Sequence, residues 1–115
     1  MDTNYGEREI NIVEAGIDEI KKVLLGNDTK AKERLLFYLD WYLDPYYKND
    51  LSGIESEISM VLQKVVIESN NDNVIDEAIH LLSAYLFGPY DIIKEHLSMV
   101  PHKFRADALC LINSI

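Results

Sequence analysis

The chain has 115 residues, 48% of them hydrophobic and 27% charged, with 5 Gly and 3 Pro, which predicts one folded domain over residues 1–115 and excludes a collagenous or low-complexity chain. Acidic residues outnumber basic ones 20 to 11, giving a net charge of −9, so a direct role on nucleic-acid phosphates is excluded on charge. The single cysteine, Cys110, cannot form an internal disulfide, and its apolar run (Ala108 to Ile112) predicts a small buried hydrophobe. Met1-Asp2-Thr3-Asn4 is not a basic stretch leading into an apolar one, and no apolar run is long enough to span a bilayer. The expectation is a cytoplasmic protein with no membrane contact.

Taken in chain order, the apolar period is helical almost throughout. Ile10, Val13, Ile17, Ile20 and Leu24 step by three and four, predicting a first helix closed by Gly26-Asn27. Asp28 or Thr29 caps a second, whose stripe is Leu35, Leu36, Leu39, Tyr42 and Leu43 and which Pro45 stops. Tyr46 to Gly53 reads as a loop. A third helix starts near Ser52 or Ile54 and buries Ile58, Val61, Leu62 and Val65, before the polar cluster Ser69 to Asn73 breaks it. The fourth, about Asn73 to Phe87, is apolar over more than half its circumference, so it is expected to lie sandwiched between neighbours. Gly88-Pro89 and Pro101 then delimit a fifth helix, about Tyr90 to Met99, and a sixth, about His102 to Asn113. The fold class is all-α, with five to six short helices.

A faint repeat runs through the second half. Val74 to Leu82 aligns with Phe104 to Ile112 at an offset of 30 residues, acid on acid (Glu77, Asp107) and alanine on alanine (Ala78, Ala108). A weaker echo lies at Glu33, Leu35 and Phe37. The pattern resembles the second helix of HEAT-type α-solenoid repeats. That implies antiparallel helix pairs, about two and a half units at about 40–47 residues each. The alternative is an irregular helical bundle.

Catalytic and metal-binding motifs are sparse. His80, His96 and His102 do not fall into a zinc-ligand spacing, and His80 reads as a residue on the narrow polar face of its helix. The five glycines are isolated, so no phosphate-binding loop is expected. Two carboxylate pairs stand at helical spacing, Glu14 with Asp18 and Asp40 with Asp44. Such pairs can bind a metal or split their pKa values for acid–base work, but nothing else in the sequence converges on them, and they read as solvated faces. The expectation is therefore a non-enzymatic protein with no metal and no cofactor.

The segment Phe37 to Asp50 stands apart. It holds six of the eleven aromatic residues, including the only tryptophan, and three aspartates. Tyrosine and tryptophan bury large area at low entropic cost, and aspartates beside them suit a basic partner. The candidate partner contacts are Asp40, Trp41, Asp44, Tyr46, Tyr47 and Asp50, with Tyr90 and Asp91 as a second acidic-aromatic pair. Trp41 can equally fill the core. In size, charge, helical pattern and acid-Ala repeat the chain resembles the small HEAT-like immunity proteins of bacterial polymorphic and contact-dependent toxin systems. The resemblance implies a cytoplasmic inhibitor that covers the active site of a basic toxin domain, such as a nuclease, with acidic residues. The other reading of the same features is a small helical adaptor that binds a peptide or helix.

Overall fold

The computed structural model describes residues 6–51, 53–86 and 88–113. Among these residues the structure is all-helical, with no strand and seven α-helices: α1 (Glu7–Ala15), α2 (Ile17–Leu24), α3 (Thr29–Leu43), α4 (Glu55–Glu68), α5 (Asp72–Tyr85), α6 (Asp91–Glu95) and α7 (Arg105–Asn113). Short 3₁₀ turns occupy Pro45–Tyr47, Leu97–Met99 and His102–Phe104.

Gly16 accounts for the extra helix. The period from Ile10 to Leu24 reads as one helix, but Gly16 adopts φ 111°, a region open to glycine and not to L side chains, and the chain breaks into α1 and α2 there. The expected helix from Tyr90 to Met99 is shorter than its periodicity: α6 stops at Glu95 and a 3₁₀ turn follows. The predicted start of the sixth helix at His102 is a 3₁₀ turn that runs into α7. The boundaries of α3 and α5 follow their caps. Asp28 accepts the amide hydrogen of Ala31 at 3.1 Å, and Asn71 accepts that of Val74 at 3.0 Å.

The helices pack as two rows. α2, α4 and α6 make one, with α2 on α4 and α4 on α6; α3, α5 and α7 make the other in the same way. Each member also packs on its sequence neighbour in the other row, α2 on α3, α4 on α5 and α6 on α7. α1 covers the first end, against α2 and α3. α5 is the centre, in contact with α3, α4 and α7, as its wide apolar face predicts. Val74, Ile75, Ala78, Leu81 and Leu82 are completely buried there. Ala108 of α7 is as buried as Ala78, so the two alanines of the sequence repeat both sit where their helices are overlaid by neighbours.

Polar groups inside this core are paired. Glu9 is 2% exposed; its carboxylate accepts the Gly6 amide hydrogen at 2.6 Å and lies 3.4 Å from Arg34 of α3, tying the first helix to the third. Gln63 of α4 is also 2% exposed. Its carbonyl accepts the amide hydrogens of Ile92 (3.0 Å) and Ile93 (3.3 Å) in the first turn of α6, and its amide donates to Ser59 at 3.1 Å. A side chain from one helix thereby caps the next helix in its row. Among the described residues no buried side-chain nitrogen or oxygen lacks a hydrogen bond. No described helix is long and apolar enough to cross a membrane.

Candidate functional site

Aromatic and acidic side chains of α3, the Pro45–Tyr47 turn and α5 meet on one face. The turn exists because Pro45 cannot continue α3 and Asp44 caps the new 3₁₀ segment: its carboxylate accepts the Tyr46 amide hydrogen at 2.9 Å. Lys48 closes the turn in the left-handed region, at φ 56°. The Asn49 side chain then donates to the Tyr42 carbonyl at 3.1 Å, holding the connection back against α3.

That fold-back places Tyr47 beside Trp41, with ring centroids 4.9 Å apart, while Trp41 stacks on Tyr38 at 5.5 Å. Tyr46 meets Tyr47 edge-on at 5.1 Å and is 80% exposed. Trp41 is therefore neither wholly core nor wholly exposed. It packs against the core from a half-buried position and keeps one side at the surface. Phe37, Asp40, Trp41, Asp44, Tyr47 and Tyr85 line a shallow hollow of about 300 Å³.

Asp40 is the electrostatic centre of this face. It accepts the Tyr85 hydroxyl hydrogen at 2.6 Å and lies 3.4 Å from Nε2 of His80, both on α5. Glu77, one turn before His80, brings a second carboxylate, so that ligand atoms of Asp40, Glu77 and His80 all lie within 4.8 Å of one another. The crowding shows in two acidities. The hydrogen bond to Asp40, with burial and the nearby carboxylates adding to it, pushes the Tyr85 phenol up to about 12. Burial raises the Glu77 carboxyl, as do Asp40 and Asp76, while His80 opposes the shift.

Five of the predicted contacts, Asp40, Trp41, Asp44, Tyr46 and Tyr47, come together here, and exposed Asp50 lies shortly after them in the same connection. Tyr90 does not present itself to a partner. Its ring is 4% exposed, and its hydroxyl reaches the carbonyls of Leu82, which already accepts the Leu86 amide hydrogen, and of Leu86 at the end of α5. Burial raises its phenol above the ordinary value. Asp91, at the start of α6, is exposed and borders a different depression of about 420 Å³, whose apolar walls are Met60, Leu86, Pro89 and Ile92.

The backbone splits the Glu14–Asp18 pair between separate helices either side of Gly16; Asp44 lies beyond the end of α3, where it caps the 3₁₀ turn, and still lines the same hollow as Asp40. Cys110, expected to be buried, is exposed, because α7 turns Ala108 and Leu111 inward and leaves Leu109 and Cys110 on its outer face. Glu77, His80 and Tyr85 join the site without having been expected there. Glu77-x-x-His80 is the available signal in the sequence, but its meaning depends on Asp40 from another helix. No protein-family model matches the chain, nor does any curated protein or solved structure.

Proposed function

We propose that this chain is a non-enzymatic binding protein that docks the face formed by α3, the Pro45–Tyr47 turn and α5 onto a basic protein. The observation that carries the reading is the convergence of Asp40, Asp44 and Glu77 with Phe37, Trp41, Tyr46 and Tyr47 on one surface of a chain whose net charge is −9. The aromatics offer area that is already held by stacking, so little ordering is left for the encounter. The acids steer a cationic partner and pair with it on contact. The two rows of helices support a HEAT-like reading of the fold, with α2/α3, α4/α5 and α6/α7 as the helix pairs. Together with the small size and acidity they favour an immunity protein that neutralises a cognate basic toxin domain, such as a nuclease, in the cytoplasm.

The test is capture of partners from the source organism on immobilised chain, at low and high salt. Wild type is compared with an Asp40→Asn/Asp44→Asn/Tyr46→Ala variant. Asparagine at 44 keeps a capping oxygen, so the turn survives while its charge goes. A basic protein held by wild type, released by salt and lost by the variant supports the proposal. Equal retention by the variant refutes this face. A second reading, an adaptor for a peptide or helix, is favoured by the apolar depression bounded by Met60, Leu86, Pro89 and Ile92. A partner that resists salt and is lost on Met60→Lys would select it.

A further inference from the structure

We infer that Asp40, Glu77 and His80 form a binding site for a divalent transition-metal ion of the zinc class, built across the packed pair α3 and α5. The site concerns the same face as the proposed docking surface but needs no partner.

All three side chains stand on rigid elements. Glu77 and His80 are three residues apart on α5, so both side chains project from one side of that helix. α3 lies against α5 and supplies Asp40 from the opposite direction. Glu-x-x-His pairs with carboxylates from neighbouring helices build the dinuclear metal sites of some four-helix bundles, so this spacing is compatible with ligation.

Distances agree with that use. Ligand atoms about 2.1 Å from a tetrahedral zinc lie about 3.4 Å from one another. Asp40 Oδ1 and His80 Nε2 are already 3.4 Å apart. The whole set falls within 4.8 Å, which leaves a short closing movement to reach ligand spacing. One imidazole and two carboxylates are ligands that zinc accepts, and with neutral imidazole their two negative charges favour a dication.

The surroundings complete the site. Tyr85 donates to Asp40 at 2.6 Å, the kind of outer hydrogen bond that fixes a ligating carboxylate. The His80 side chain is 49% exposed and that of Asp40 35%, so an ion can enter from solvent and keep water in the remaining position.

The experiment titrates Zn²⁺ into the chelator-treated full chain at pH 7 by calorimetry. The expected result is one saturable site that weakens at least tenfold in His80→Ala and in Asp40→Asn and is unchanged in His96→Ala and Cys110→Ser. Circular dichroism confirms that each variant is folded. A second measurement needs no variant: Mn²⁺ should broaden backbone NMR signals around Asp40, Glu77 and His80 at concentrations that leave those around His96 and His102 sharp. Absence of saturable binding overturns the assignment, as does affinity indifferent to both ligand substitutions or broadening centred on another histidine. Because no partner is present, such a failure leaves the docking proposal standing, and loss of docking leaves this site standing.

Discussion

Gln63 offers a demanding test of how the helix rows are joined. It is buried in α4, and its single carbonyl oxygen receives the amide hydrogens of both Ile92 and Ile93. α6 has only five residues, so these two bonds satisfy a large part of its N-terminus. In Gln63→Leu the shape is nearly kept and the acceptor vanishes. The Ile93 donor is buried, and leaving such a group unpaired costs about 1–3 kcal/mol. The Ile92 donor is partly accessible and recovers some of its loss from water. Loss of the bond to Ser59 adds a little, and the leucine side chain returns part in apolar burial.

The net expectation for Gln63→Leu is a destabilisation of about 2–4 kcal/mol. With unfolding entropy near 2.1 cal/mol/K per residue, a chain of 115 residues loses roughly 4 °C per kcal/mol, so the melting temperature should fall by about 8–16 °C. Differential scanning calorimetry measures the fall, and hydrogen exchange should show the amides of Ile92 and Ile93 losing protection before those of α5. Gln63→Glu retains an acceptor, so exchange at those two amides should stay slow in that variant even as global stability drops. A melting shift under about 2 °C in the leucine variant, or unchanged exchange at Ile92 and Ile93, would refute the capping role.

Asp40→Asn should return the ionisation of Tyr85 from about 12 towards its ordinary value near 10, followed by NMR titration of the ring carbon. In wild type, folded Tyr85 holds its proton more tightly than the unfolded chain does, so its contribution to stability is complete below pH 10 and is lost as pH rises through about 12. Leu82→Ala truncates a side chain with no exposed surface and should cost about 2–5 kcal/mol in urea unfolding; a negligible change would mean that α5 does not carry the core. Gly16→Ala meets no atom within 4 Å but inherits φ 111°, so backbone strain alone should cost about 1–3 kcal/mol in the same assay, and a neutral result would mean that α1 and α2 can fuse.

Legibility in the sequence tracks the range of each signal. α3, α4 and α5 are set by local information, namely caps at Asp28 and Asn71, a proline stop, and apolar stripes long enough to define a period, and they form close to where the pattern puts them. Gly16 is local too, but a glycine between two apolar turns is compatible with a continuous helix and with a break. Only the packing of α1 against α2 and α3 decides between them. The same division holds at the surface. The aromatic and acidic density of Phe37 to Asp50 is contiguous in sequence, so its five central members are legible there. Tyr90 is also an aromatic beside an aspartate, and composition treats it alike. Its role is fixed by the end of α5, where its buried hydroxyl reaches the carbonyls of Leu82 and Leu86. Asp40 shows the converse. Its spacing from Asp44 suggests a pair within one helix, yet its neighbours in space are Glu77, His80 and Tyr85, brought from α5 by the packing of two buried leucine-rich faces. Chemistry that arises between helices is invisible to a period measured along one of them.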